Sequence, residues 1–145
     1  MLLTRKPSRL LASIALLPIT LAKPLPQTTN HELVCLASNI YHEARGESLR
    51  GQRLVALVTL NRAKTLGTIC RAVFEPNQFS WTLNQLPKYD HETWRVAWVA
   101  YHNYKPNQLY YYHNHQVKPN WRNLVRLGPR VGNHQFYYKP WKYIS

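Results

Sequence analysis

"HELVCLASNIYHEARGESLRGQRLVALVTL", residues 31–60, reads as two helices joined by a short break. Leu33, Leu36, Ala37, Ile40, Tyr41 and Ala44 recur at the three- and four-residue spacing of one helical face, which predicts a buried helix from about His31 to Ala44. Thr29, followed three residues later by Glu32, has the pattern of a capping box. Gly46 suits the end of this helix, because glycine closes a helix in the left-handed conformation at little steric cost. Ser48 then caps a second helix, in which Leu54, Leu57, Val58 and Asn61 share one face and Val55 and Ala56 widen the apolar stripe.

Outward from this pair the chain stays helical for another segment. "KTLGTIC" turns out of the second helix, "RAVF" makes a short turn, and "EPNQFSWT" is a polar and aromatic loop. Asp90 opens a third helix, "HETWRVAWVAYHNY", with Trp94, Ala97, Trp98 and Tyr101 along one side, which assigns both tryptophans to the core; Lys105 and Pro106 stop it. "QLYYYHNH" and "NHQFYY" are short runs of aromatic β-formers separated by Pro, Asn and Gly, and they predict two strands that pair in a small sheet. The fold class expected is a mainly helical α+β domain with a minor β element.

At 145 residues the chain has room for one core. Arg5, Lys6 and Arg9 precede the apolar run Leu10 to Leu17, and small or uncharged residues follow near Ala22, the order of a secretory signal. Residues 1–22 are therefore expected to be a signal peptide, 23–30 a Pro- and Thr-rich linker, and 31–145 the functional domain. The chain has 19 basic residues against six acidic ones, and the loss of three with the leader leaves a net charge of about +10. So basic a surface suits phosphates or the anionic polymers of a cell envelope, and no recognition helix, RNP-type motif or zinc-finger spacing favours nucleic acid. Cys35 and Cys70 form one disulfide in an oxidising compartment or stay as two buried thiols; the sequence leaves both open.

Acids this rare attract notice where they cluster, and Glu43 and Glu47 flank the break between the first two helices. Glu43 sits at a helix C-terminus beside Ile40 and Tyr41. Desolvation and the negative end of the helix dipole both favour its neutral form there, the state a proton donor needs. Arg45 would oppose this if its guanidinium reached the carboxylate. Glu47, beyond the break, is expected to be solvated or to cap the next helix by its charge, and it is also the first candidate for a second catalytic carboxylate, with Glu75 in reserve.

"CLASNIYHEARGESLRGQRLVALVTLNRA", "TICRAVFEPNQFSWT", "YYYHNHQVKPNW" and "VGNHQFYY" resemble, in order, the motifs of the SleB-like cell wall hydrolases, a family of spore-cortex-lytic enzymes and phage lysins. The resemblance spans Cys35 to Tyr138. It implies peptidoglycan as substrate, no cofactor or metal, and a fold similar to goose-type lysozymes and lytic transglycosylases, in which one glutamate at a helix end cleaves the glycan. Glu43 takes that place. Two residues depart from the family pattern: His42 replaces an aromatic or small residue, and Leu83 stands where similar sequences often have a cysteine. The second leaves Cys35 and Cys70 as the only possible pair.

A glycan groove needs aromatic platforms with amide and hydroxyl partners. Gln78, Phe79, Ser80, Trp81, Tyr111, Tyr112, His113, Asn114 and Trp121 supply these groups in the family-like segments and are the expected substrate-binding residues. The reading that follows is an exported peptidoglycan glycosidase, periplasmic or wall-associated and acting as a monomer. A lytic transglycosylase outcome is favoured over hydrolysis, the substrate supplying the nucleophile where neither Glu47 nor Glu75 reaches the sugar. Two alternatives compete with it. His113, His115 and His134 would ligate zinc in an amidase, with Glu43 as base, or the chain would be a non-catalytic basic module that binds the wall.

Overall fold

The computed structural model of the chain describes residues 30–140. The expected signal peptide, and the linker up to residue 29, lie outside the described residues. Four α-helices come first: α1 (Asn30–Ala44), α2 (Leu49–Leu66), α3 (Ile69–Val73) and α4 (His91–His102). Three strands follow, β1 (Leu109–Asn114), β2 (Arg126–Val131) and β3 (His134–Tyr138), in one antiparallel sheet of order β1-β3-β2. Single 3₁₀ turns occupy Ser80–Leu83 and Arg122–Leu124. The result is a mainly helical domain with a small sheet, and no helix among the described residues is long and apolar enough to cross a membrane.

The core lies where α1 and α2 meet α3, α4 and the sheet. Leu36, Ile40, Val55, Ala56, Val73, Ala97 and Phe136 are wholly buried, and each large aliphatic or aromatic side chain among them contributes about 1.5–3 kcal/mol through removal from water. The apolar face predicted for α1 is buried, with Tyr41 partly so, whereas α2 buries Gln52, Val55, Ala56, Val58 and Thr59 most deeply and leaves the predicted Leu54 and Leu57 partly buried at the edge of the core. Ser48 caps α2 as expected, its Oγ accepting from Gly51 N at 3.3 Å. Asp90 and Thr93 form a reciprocal capping box on α4.

Several local expectations change for identifiable reasons. Glu32 reaches beyond its own helix: its Oε2 accepts from Ile69 N at 2.6 Å and Cys70 N at 3.1 Å, so it caps α3 across space, while Thr29, its partner in the expected capping box, lies outside the described residues. Gly46 is not left-handed, since α1 closes through Glu47 N donating to Ala44 O, a turn that needs no positive φ. "RAVF" lies mostly within a short helix, α3. Cys35 and Cys70 form a disulfide that ties α1 to α3. Trp98 is 48% exposed and stacks on His102, because α4 packs inward through Val96 and Ala97 rather than through both tryptophans. Trp94 packs against the core at its edge.

The strand missing from the sequence reading is β2. Its Gly128 and Pro129 look like a turn, yet proline is tolerated on an edge strand, and β2 is at the sheet edge. A register shift between Leu127 and Arg130 accommodates both residues. Gly128 is required by proximity, because a Cβ there would lie 2.9 Å from Phe136 O. Gly132 turns the β2–β3 hairpin at φ 57°, and a Cβ there would overlap Glu47 Oε2.

Candidate active site

Glu43 projects from the last turn of α1 into a cleft of about 510 Å³, a size within the usual range of about 300–1,000 Å³ for ligand sites. Helix α2 supplies Val58 and Arg62 to the cleft, the loop before the first 3₁₀ turn supplies Asn77, Gln78 and Phe79, and β1 supplies its whole run from Tyr110 to Asn114. His42, Trp121 and His134 complete the lining. Asn77 holds the loop in a left-handed conformation, φ 63°, one that asparagine tolerates better than most residues.

The Glu43 carboxyl is half-buried and accepts a hydrogen bond from the Tyr112 hydroxyl at 3.2 Å. Burial raises its pKa above the ordinary 4.5, and the Tyr112 hydrogen bond opposes only part of that effect. Tyr112 is in turn pushed well above the usual tyrosine value, chiefly by burial and then by the Glu43 charge, so it stays a donor. Arg45 does not neutralise Glu43: its guanidinium lies 4.7 Å from the centre of the Tyr41 ring, on the solvent side of α1. Burial thus shifts the group toward its protonated form where it lines the cleft.

Glu47 departs from two of its three expectations, while its place just before the Ser48 cap, against the first turn of α2, agrees with the third, a charge at the start of that helix. It is neither solvated nor part of the cleft lining; its side chain is about 10% exposed under the β2–β3 hairpin, where Oε1 accepts from Asn133 N at 3.0 Å. His134 Nδ1 lies 3.9 Å from the same oxygen, too far for a hydrogen bond. Burial lowers the His134 pKa despite the Glu47 charge, which leaves a neutral ring at neutral pH. Glu47 therefore anchors a turn. Glu47→Gln, whose carbonyl still accepts from Asn133 N, is expected to keep activity within about threefold, while Glu47→Ala loses about 1–3 kcal/mol of stability by denaturant melting. A large loss of kcat in the glutamine variant would return Glu47 to the chemistry. Glu75 does not line the cleft either.

Of the nine expected binding residues, seven line the cleft: Gln78, Phe79, Tyr111, Tyr112, His113, Asn114 and Trp121. Trp121 stands near Tyr111 and His113, with ring centres 5.6 and 5.8 Å apart, and forms an aromatic wall. Ser80 and Trp81 are not in the lining. Trp81 is 3% exposed and belongs to the core: its Nε1 donates to Asn39 Oδ1 at 2.9 Å, and Asn39 donates on to Thr59 Oγ1. Buried amide, hydroxyl and indole groups satisfy one another in this chain, which fixes the 3₁₀ turn onto α1. The outer face of Trp81 carries the His42 ring, stacked at 4.3 Å. His42, Val58, Arg62, Asn77 and Tyr110 were not expected in the site. The only advance signal for Tyr110 was its membership of the aromatic strand.

The three histidines of the zinc alternative do not converge on one point. His113 bonds Tyr137 Oη and Asn114 O, His115 faces Asn133 O, and His134 is tucked beside Glu47. Among the described residues the one group with metal-like spacing is His31, Cys35 and Cys70, whose sulfurs are joined to each other.

Comparison with known proteins agrees with this architecture. The chain is similar to the catalytic domain of the germination-specific lytic transglycosylase SleB from Bacillus anthracis, with 24% identity over 78% of this chain and 98% of that one, at a TM-score of 0.64. It is equally similar to the catalytic domain of the Bacillus cereus SleB protein, with 24% identity over 78% and 94% of the two chains, at a TM-score of 0.65. These likenesses show a shared, lysozyme-like fold. No curated protein matches the chain significantly. The profile of the family described as Cell Wall Hydrolase matches residues 46–137, beginning three residues after Glu43, and on that match the chain belongs to the cell wall hydrolase family.

Proposed function

We propose that this cell wall hydrolase cleaves the glycan strand of peptidoglycan between muramic acid and the following glucosamine, as a lytic transglycosylase with Glu43 as its one acid and base. The observation that carries the reading is a single carboxyl group, held toward its protonated form by burial, as the only carboxylate lining the cleft among the described residues. A retaining glycosidase needs a second carboxylate about 5 Å away and an inverting one about 6.5–9.5 Å away. Neither Glu47 nor Glu75 faces the cleft to serve.

With no second carboxylate the substrate supplies the nucleophile. Glu43 gives its proton to the glycosidic oxygen as the bond to the muramic acid C1 breaks. The 6-hydroxyl of the same muramic acid attacks C1, and the Glu43 carboxylate takes the hydroxyl proton. The enzyme returns to its starting state, no water is consumed, and a 1,6-anhydro end is left. The Tyr112 hydroxyl steadies the carboxylate in the ionised half of the cycle. Trp121, Tyr111 and the amides of Gln78 and Asn114 would grip the sugars. The solved relative named a lytic transglycosylase supports this outcome.

Mass spectrometry of digested wall tests it. The expected product is anhydro-muramic ends in stoichiometric amount; reducing muramic ends alone would mean hydrolysis. Export to the wall, with residues 1–22 as leader, fits the substrate, and the Cys35–Cys70 disulfide fits an oxidising compartment.

A further inference from the structure

Tyr110 lines both the cleft and a second recess of about 360 Å³. We propose that this recess holds the carboxylate-bearing peptide that hangs from the glycan, so that the enzyme selects peptide-substituted strands. The inference rests on the glycosidase reading above.

The recess is built rather than incidental. Its floor is Asn61, 5% exposed, which donates to Leu109 O at 2.6 Å and Asn107 Oδ1 at 2.9 Å and accepts from Tyr104 Oη at 2.7 Å. These bonds fix the chain between α4 and β1 against α2. Tyr110 is fixed as well, its hydroxyl bonded to Thr65 Oγ1 at 3.1 Å and its ring 4.0 Å from Lys139 Nζ.

The chemistry of the lining differs from that of a sugar site. Lys64 and Lys139 bring two ammonium groups, no carboxylate lines the recess, and neither lysine is paired with one among the described residues. N-acetylglucosamine, and muramic acid whose lactyl carboxyl is taken up in the amide to its peptide, are neutral and have no use for such charge. The peptide joined to the lactyl group of muramic acid carries free carboxylates and a backbone that suits the Gln108 and Asn107 amides. It is tethered to the sugar that enters the cleft, so its site must adjoin the cleft, and the Tyr110 wall places the recess there.

A phosphate polymer of the wall shares the anionic chemistry, so the substrates must separate the two. Three are needed: peptidoglycan freed of phosphate polymers, the same glycan stripped of peptides by an amidase with the lactyl carboxylates so exposed then capped as amides, and peptidoglycan with its phosphate polymers retained. Wild-type enzyme is expected to show a kcat/KM about five- to tenfold higher on the phosphate-free, peptide-bearing glycan than on the stripped glycan, the yield of two screened ion pairs. Lys64→Gln/Lys139→Gln should lose that preference while cleaving the stripped glycan at the wild-type rate, and raised salt should shrink the preference in the wild type alone. Equal kcat/KM on the first two substrates, equal impairment of the double variant on both, or a preference seen only with phosphate polymers retained overturns the assignment. Failure to release glycan ends from either phosphate-free substrate overturns the glycosidase reading and this inference with it.

Discussion

Glu43→Gln is expected to lower glycan cleavage by about 10²–10⁴-fold, the usual contribution of a positioned general acid, while binding to purified wall is unchanged. The amide has nearly the shape of the carboxyl group and can still accept from Tyr112, but it has no proton to give at the glycosidic oxygen and cannot take one back. A non-catalytic module predicts the opposite, full biological effect from the variant, so one assay on purified peptidoglycan separates the two. The pH profile gives a second readout. Burial holds the Glu43 carboxyl above 4.5, so the limb along which activity falls with rising pH should lie higher than an exposed glutamate would place it. Tyr112→Phe removes the hydrogen bond that lowers this pKa and should move that limb higher still. Stability should change in the reverse sense to activity. A carboxyl whose folded pKa is raised contributes stability that is complete below its unfolded pKa and is lost as pH rises through the folded value. Glu43→Gln has no such loss, so at neutral pH the inactive variant should melt no lower than the wild type, and the difference should close as pH falls below 4.5. A clearly lower melting temperature at neutral pH would mean that the ionised group stabilises the fold, contrary to a poised acid.

The features that could be read in advance depend on neighbours close in sequence. The face of α1 from Leu33 to Ala44, the Ser48 and Asp90 caps and the aromatic strands β1 and β3 are set by local periodicity and by side chains within a turn of the groups they bond. Glu43 was legible on the same terms, because its burial follows from its position on α1. What was missed depends on distant partners. Glu47 looks solvated until the hairpin at Asn133 folds over it from 86 positions away. Trp81 is as good a sugar platform as a core residue until Asn39, 42 positions earlier, accepts its indole proton. Glu32 fits a local capping box, yet its carboxylate reaches α3. Trp98 shows where periodicity overreaches: the spacing is helical, but the helix has a packing partner on only one side.

Removal of the disulfide, by Cys35→Ser/Cys70→Ser, is expected to cost about 3–4 kcal/mol, since closing a loop with 35 positions between its ends removes about that much conformational freedom from the unfolded chain. For a domain of this size the loss corresponds to a fall in melting temperature of roughly 10–20 °C. Other ties join these two elements in the native state: Glu32 is bonded to the first amides of α3, and Ile69, Ala72 and Val73 pack into the core. Activity should fall along with stability, for a structural reason. The disulfide fixes α1 to α3; α1 carries Glu43 at its far end, and α3 leads directly into the loop of Asn77, Gln78 and Phe79 on the facing side of the cleft. Freed of the crosslink, the two walls are held together by the core and the Glu32 hydrogen bonds alone, so KM should rise more than kcat falls, because the Glu43–Tyr112 contact joins α1 to β1 and does not involve α3. Denaturant melts of the oxidised protein, the reduced protein and the double variant, with kinetics on each, test both parts. A double variant within about 0.5 kcal/mol of the oxidised protein, the scatter expected of an inert surface change, would show that the helices hold the cleft closed without the crosslink.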